Sequence, residues 1–522
     1  MTSVPRVLML GWEFPPFITG GLGTACHGLT RGLTKAGCDI TFALPRSIDR
    51  SHSSHVRLLS PATEVAEPAA WTAPPEGDVL ESVSLAQEDE MATEHRTATR
   101  RLELLRQGTP ERIRILDLPA MMQSAYCSGS ARGRLIDTIA AGDPVFSEHL
   151  DALSNEEFNA YFASVQSSEH LERSPIDLAI RRALPEAISS PHSHAHGSHA
   201  PTGGYDGDLI LEAERYAHFC VRAAQKIPFD IIHAHDWLTY PAGIALARLT
   251  GRPLVVHVHA TEFDRSGDHV NQAVYNIERR GMHAAVRVLA VSMLTRNLLV
   301  NRYGISPTKI DVVYNGVDLE PSAYGIKRIE RAERIVLYFG RITMQKGPEY
   351  FVKAAKRVLD VEDNVRFVVA GSGDQATKMI EMAAELGIGG RMTFTGFLRG
   401  KDIQRVFSLA DLYVMPSVSE PFGIAPLEAM GHRVPVIISR NSGVSEVLTH
   451  ALKVNFWDVD EIANKIVAVL RHPPLRAELR DRGLFEVRGI TWDGAAKRCL
   501  DSYRKALSVL HTEAPRRSVS AH

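Results

Sequence analysis

RIVLYFGRITMQKGPEYFVKAAKRVLDVEDNVRFVVAG, residues 334–371, decides the fold class. An apolar run of strand length, RIVLYFG, leads into a glycine-bearing turn. GPEYFVKAAKRVL then spaces its apolar residues at helical period, and VRFVVAG is a second buried run. Strand, amphipathic helix and strand in that order form one βαβ unit of a doubly wound parallel sheet. Downstream the alternation continues through helix DQATKMIEMAAEL, strand RMTFTG, helix KDIQRVFSLA, strand LYVMPS, helix IAPLEAMGH and strand PVIIS, ending in a helical tail. Upstream it is preceded by a charged, helix-like stretch at 326–333.

The same rhythm opens the chain. RVLML reads as a buried strand, TACHGLTRGLTKAG as a helix and DITFALP as a second strand. It resumes with a helix over 208–226, strand DIIHAH, a helix over 237–249, strand PLVVHVHA, a helix over 271–284, strand RVLAVS, helix LTRNLLVNRY and strand IDVVYNG. Between the two runs, residues 51–205 break the pattern. Residues 61–100 are rich in Ala, Pro and Glu, and 189–206 reads SSPHSHAHGSHAPTGGYD. Such segments bury too little apolar surface to offset chain entropy, so they read as loops of an inserted elaboration. Within it, RIRILDLP reads as a strand and FSEHLDALSNEEFNAYFASV as helical.

A chain of 522 residues exceeds what one core supports. The expected fold class is therefore α/β, with two Rossmann-like doubly wound domains facing a cleft. The first spans 1–325 with its insertion at about 51–205, and the second 326–490. An amphipathic helix over 491–510 is expected to cross back to the first domain, followed by a frayed tail over 511–522. Net charge is −2 and 23% of residues are charged, which gives no global electrostatic case for nucleic acid or an anionic membrane. Any anion must be held locally. The N-terminal apolar run is too short for a spanning helix and lacks a cleavage pattern, and five scattered cysteines read as free thiols in a reducing, cytoplasmic compartment.

Ligands of doubly wound sheets bind beyond the carboxyl ends of the strands, so the residues just after each strand carry the chemistry. Gly340-Arg341 ends one strand, and Lys346-Gly347 opens the next helix. Two cations beside a helix N-terminus suit a diphosphate, although the pair could also be merely solvated. The second signal is Glu420-Pro-Phe-Gly-Ile-Ala-Pro-Leu-Glu428, which sets two carboxylates eight residues apart after a strand. A carboxylate accepts two hydrogen bonds from a vicinal diol, such as a sugar or a ribose presents. The amides of Gly423, Ile424 and Ala425 would open a helix toward phosphate oxygens. Helix capping is the plainer use of these acids.

On GRITMQKG, EPFGIAPLE and NSGVSEVL the second domain resembles the GT-B-fold glycosyltransferases of family 4. In its N-terminal half the chain resembles the glycogen and starch synthases. The resemblance implies that Arg341 and Lys346 grip a donor diphosphate and balance the leaving group, that Glu420 contacts the transferred sugar and that Glu428 contacts the ribose. In the first domain, TGGLG at 19–23, with Gly20 and Gly21, resembles the synthase loop that approaches donor phosphates, but Ile18 stands where the synthases carry Lys. AHDW and VHVHA are similar to synthase segments. By that likeness Asp236 matches an active-site acid and His259 the histidine lining the donor-sugar pocket; from the residues alone, His257 and His259 alternate along a strand and one of the two reads as a satisfied core histidine.

The implied activity is a retaining, metal-independent hexosyltransferase that needs no cofactor. Its co-substrate would be ADP- or UDP-glucose and its acceptor a carbohydrate, an α-glucan first; a small or lipid-linked acceptor and a non-catalytic sugar-binding protein are the alternatives. No pyridoxal motif supports a phosphorylase. Asp458-Val-Asp460 has metal–nucleotide spacing but sits where acids cap a helix, and the loop histidines His192, His194, His196 and His199 do not form an expected site.

Overall fold

The computed structural model describes residues 4–15, 21–45, 55–60, 207–225, 227–319 and 333–512. Ile18, Gly20, the expected elements within 61–206, the histidines at 192–199, the stretch at 326–332 and the tail beyond 512 lie outside the described residues.

The first sheet has seven parallel strands in the order β3-β2-β1-β4-β5-β6-β7. They are β1 (Arg6–Leu10), β2 (Asp39–Ala43), β3 (Arg57–Leu59), β4 (Ile231–His235), β5 (Leu254–Val258), β6 (Arg287–Ala290) and β7 (Ile310–Val312). Helices α1 (Gly21–Lys35), α2 (Gly207–Ala224), α3 (Tyr240–Thr250), α4 (Glu262–Ser266), α5 (Gln272–Ala284) and α6 (Met293–Tyr303) connect them. The second sheet has six parallel strands in the order β10-β9-β8-β11-β12-β13. These are β8 (Arg334–Phe339), β9 (Val365–Ala370), β10 (Met392–Gly396), β11 (Leu412–Met415), β12 (Val436–Ser439) and β13 (Leu452–Val454). Helices α7 (Pro348–Leu359), α8 (Ala376–Glu385), α9 (Lys401–Leu409), α10 (Ala425–Gly431), α11 (Val459–Arg471) and α12 (Pro473–Val487) belong to this domain.

Both sheets reverse direction of growth once, between β1 and β4 and between β8 and β11. Those switch points are where a doubly wound sheet opens a crevice. The central strands are buried along their whole length: β4 and β5 expose no residue, which is why they read as continuous apolar runs.

Two boundaries differ from the sequence reading. Arg57–Leu59 pairs with β2 as the edge strand, so the first sheet takes three residues from the range assigned to the insertion. The glycine-rich turn after β1 is shorter than expected, because Gly21, Leu22 and Gly23 already form the first turn of α1.

The last helix, α13 (Trp492–Thr512), packs into the first domain's core. Trp492, Ala495, Cys499 and Tyr503 share one buried cluster with Val7, Leu29 and Leu33. The close approach depends on small residues of α1, since a Cβ on Gly28 would fall 2.1 Å from the Trp492 ring. Large aromatic and aliphatic groups buried in this way each contribute about 1.5–3 kcal/mol. The described cysteines at 26, 38, 220 and 499 are buried and free. Among the described residues no helix is long and apolar enough to cross a membrane.

Candidate active site

In the second domain the chemistry gathers at the β8/β11 switch point. After β8 the chain turns through Gly340 and Arg341, whose carbonyl accepts the Tyr338 hydroxyl at 2.8 Å. A short 3-10 turn, Met344–Lys346, then delivers Lys346 to the cleft. Gly347 must be glycine: its φ is +62°, and a Cβ there would fall 2.1 Å from the Pro416 carbonyl oxygen. That contact brings the turn carrying Lys346 against the chain leaving β11, and Val418 N donates to Gln345 O at 2.9 Å across the same seam.

The seam places Lys346 Nζ 2.5 Å from Glu420 Oε2. Ser417 Oγ donates to the same oxygen at 3.3 Å. Glu420 is 5% exposed, so its charge is balanced by the ammonium rather than by bulk water. Its backbone is fixed as well: Glu420 N donates to Asn441 O at 3.0 Å, and Gly443 N donates to Glu420 O at 2.9 Å.

Glu428 lies in the first turn of α10, separate from this pair. Burial pushes its carboxyl up to about 7. It lines a cavity of about 230 Å³ together with Ile403, Gln404 and His432 of the second domain and Thr24 and Trp492 of the first. The lining takes in Ile424 and Glu428, while Glu420 sits with Lys346 at the turn that follows β8. The helix opens later than the sequence reading had it. Ile424 occupies the N-cap position and Pro426 sits in the first turn, which removes one amide. Ala425 therefore offers the first helical N–H, while Gly423 turns the chain with φ +102°.

The first domain contributes from the ends of β4 and β5. Asp236 follows β4 with φ +57° and ψ 170°, a conformation that is costly for a side-chain-bearing residue and that tends to mark functional sites. Its Oδ1 accepts the amide of His259 at 2.7 Å and that of Ala260 at 3.4 Å. The carboxylate thus shapes the loop that presents His259. Burial drives the Asp236 carboxyl up to about 7, only partly offset by those amides.

His259 is half-buried and shares a hydrogen bond with His235, Nε2 to Nδ1, at 3.0 Å. Burial lowers it to about 3, so it is a neutral hydrogen-bonding group rather than a cation. Period-2 alternation on two adjacent strands puts His233, His235, His257 and His259 on one face. His233 Nδ1 in turn meets the Tyr503 hydroxyl of α13 at 2.6 Å.

His257 is the buried member of the alternating pair, and neither of its ring nitrogens has a hydrogen-bond partner. Ligand atoms of His233, His235 and His257 fall within 4.8 Å of one another. Their rings nevertheless stack with interplanar angles of 16–30°, so the in-plane lone pairs run side by side instead of converging as a tetrahedral metal site needs.

Several members escaped the sequence reading. Ser419 Oγ donates to Asp264 Oδ1 at 2.6 Å, which joins the Glu420 loop to α4 of the first domain. Asp264 is held by a capping box with Thr261, a T-x-x-D spacing that could have been read. Behind it Arg265 pairs with buried Glu262 at 3.0 Å and with Glu278. Asp458, set aside as a helix cap, does accept from Glu461 N at 2.8 Å, and Asp460 pairs with Arg357 at 3.2 Å.

Comparison with known proteins agrees with this geometry. Residues 325–484 match the family model Glycosyl transferases group 1. Residues 178–321 match Glycosyltransferase Family 4, and residues 6–90 match the Starch synthase catalytic domain. The chain is 28% identical to the D-inositol 3-phosphate glycosyltransferase of Mycobacterium tuberculosis over 392 residues, which is 68% of this chain and 80% of that protein. Among solved structures, sucrose-phosphate synthase from Thermosynechococcus elongatus aligns with a TM-score of 0.61 at 16% identity, covering 97% of this chain and 100% of that one. Anabaena HepE in complex with UDP and glucose aligns with a TM-score of 0.52 at 14% identity, covering 97% and 99%. The two sheets with their facing switch points and these matches make the chain a glycosyltransferase of the group 1 and family 4 type, with the GT-B fold.

Proposed function

We propose that the enzyme transfers glucose, with retention of configuration, from a nucleoside diphosphate donor to an α-glucan. The observation that carries this reading is the Lys346–Glu420 pair at the β8/β11 switch point, with Arg341 on the same turn. An incoming diphosphate would meet Arg341 and Lys346 and the amide of Ala425 at the start of α10. Those groups supply the positive charge that a metal supplies in other transferases, so the proposed transfer step is metal-independent and needs no cofactor.

In that step the bond from the anomeric carbon to the phosphate oxygen breaks while the acceptor hydroxyl attacks the same face. The acceptor's proton passes to an oxygen of the departing diphosphate. The protein's part is to stabilise charge on the leaving group and to hold the acceptor against that same face. Glu420 would meet the transferred sugar, Glu428 the ribose, and neutral His259, backed by Asp236, the sugar hydroxyls from the other domain. UDP-glucose is a natural donor to test first, since a protein of this fold has been crystallised with UDP and glucose, and ADP-glucose second. Buried free cysteines fit a reducing, cytoplasmic setting.

A glucan acceptor is favoured by the synthase-like AHDW segment and the starch synthase match over 6–90. A small acceptor is the second reading, favoured by the similarity to an inositol phosphate glycosyltransferase over 68% of the chain. Incubation with UDP-glucose or ADP-glucose and either maltooligosaccharides or small polyols, with products resolved by mass and anomeric NMR, tests both readings. An α-linked product one hexose longer is the expected result. Absence of turnover with every sugar nucleotide would overturn the proposal.

A further inference from the structure

Glu446 belongs to the NSGVSEVL stretch, has no donor contact assigned to it, and yet connects the Glu420 loop to the other domain. It ends a short 3-10 turn, Gly443–Glu446, just after β12. The segment entering that turn clasps the Glu420 loop through the two main-chain bonds at Asn441 and Gly443, and Val444 N adds a third to Phe422 O at 2.7 Å. The turn's far end reaches the first domain. One carboxylate oxygen of Glu446 accepts the amide of Met293 at 2.8 Å, and the other accepts the amide of Leu294 at 2.7 Å. The Tyr314 hydroxyl donates to the same carboxylate at 3.0 Å.

Those two amides open α6, an 11-residue helix, where unfilled N–H groups and the positive end of the dipole favour an anion. The helix's own cap, Ser292, serves only the amide of Thr295. Glu446 fills donors that the local sequence leaves bare. The surrounding fit is close: a Cβ on Gly443 would lie 2.5 Å from Ser292 Cβ and 2.2 Å from Pro421 O, the latter a carbonyl of the Glu420 loop. Thr295 Oγ1 also reaches that carbonyl at 3.4 Å.

We propose that Glu446 is a positioning residue that latches the domains in the arrangement competent for transfer. It holds the Glu420 loop against α6 while Ser419 engages Asp264 of α4, the short helix that follows His259. The contact is exposed and rests on charge, so it can form and release during a catalytic cycle. A donor that bridges the domains and the latch that joins them favour the same state, and each strengthens the other. This inference rests on the transferase reading above.

The test compares wild type with Glu446→Gln and Glu446→Ala. Gln keeps the shape but loses the charge and one of the two acceptors. Melting temperature without ligand, kcat and KM for the sugar nucleotide used by wild type, and the change in radius of gyration on adding UDP or ADP are measured for each. The expected result is an unchanged melting temperature, kcat lowered about tenfold with KM moved less, and loss of nucleotide-driven compaction, in keeping with a carboxylate at a helix N-terminus. Tyr314→Phe should shift kcat in the same direction by a smaller factor. Wild-type kcat and compaction in both variants would overturn the latch, as would a fall in melting temperature proportional to the loss of rate. If wild type turns over no sugar nucleotide, the transferase reading fails by itself, and nucleotide-driven compaction still reports whether Glu446 joins the domains.

Discussion

Replacing Lys346 by Met separates two jobs that one ammonium performs. In the ligand-free site the ammonium neutralises Glu420, a carboxylate buried to 7% side-chain exposure, at 2.5 Å. In the proposed transfer step it would meet the leaving diphosphate. Removing one such preorganised group costs on the order of 100- to 1000-fold in rate, or about 2.7–4 kcal/mol of transition-state stabilisation. The fold also loses something, because Glu420 keeps only the Ser417 hydroxyl at 3.3 Å. Breaking a fully buried pair costs about 3–5 kcal/mol, but Lys346 is 21% exposed, so about 2 kcal/mol is the appropriate scale. The double variant Lys346→Met with Glu420→Gln removes the orphaned charge. Its stability should recover most of that loss while its rate stays at or below that of the single variant. The assay is kcat at saturating sugar nucleotide alongside urea unfolding midpoints for the three proteins. A single variant within tenfold of wild type, or a double variant whose rate recovers together with its stability, would refute the assignment of Lys346 to the leaving group.

Glu428→Gln should raise the donor KM about tenfold and leave kcat within about twofold, since uniform binding is lost without loss of transition-state contact; equal falls in kcat and kcat/KM would contradict a role confined to the ribose side. Gly347→Ala forces a Cβ to 2.1 Å from Pro416 O at φ +62° and should destabilise the protein by at least about 1–3 kcal/mol, read by urea unfolding. Acid should weaken the fold. His233 and His259 lie at about 3 and His235 and His257 well below their usual value, all through burial, so below pH 6.5 the unfolded chain takes up protons that the folded chain refuses. Asp236 and Glu428, raised to about 7, and Glu278, also raised by burial, act oppositely between about pH 4 and 7, but three carboxyls do not outweigh six imidazoles, since burial lowers His27 and His55 as well. Stability should therefore fall from about pH 6.5 downward, and an unfolding midpoint equal at pH 5.5 and 7.5 would show that the histidines are protonated in the fold.

What was legible in the sequence follows from the range of the forces involved. Strands buried on both faces announce themselves as apolar runs, so β8, β9, β11 and β12 could be read directly. Lys346, Glu420 and Glu428 sit just after strands, where topology alone directs attention. Arg57–Leu59 was lost inside a polar stretch, because an edge strand of three half-exposed residues carries little pattern. The helix α10 starts one residue later than its apolar pattern suggests, because the positive φ of Gly423 keeps the chain non-helical until Ile424 caps it. The contacts of Glu446 with Met293 and of Ser419 with Asp264 span 153 and 155 residues and join two separately wound sheets. No local periodicity encodes such pairs.

The charge balance of the site links its resting and working forms. Lys346 and Glu420 cancel one another, so in the absence of ligand the cleft keeps a buried carboxylate without a net field. On the proposed reading, a diphosphate entering beside Arg341 would draw the ammonium toward itself and leave Glu420 in need of new donors. The hydroxyls of a sugar on that diphosphate can supply them. Donor phosphate and donor sugar would then be read together, because each would relieve the imbalance the other creates, and a free nucleoside diphosphate would leave Glu420 short of partners. By this reasoning the intact sugar nucleotide should bind more tightly than the free diphosphate in wild type, and Glu420→Gln should narrow that difference. Equal discrimination in both proteins would mean that Glu420 only positions Lys346 and does not meet the sugar.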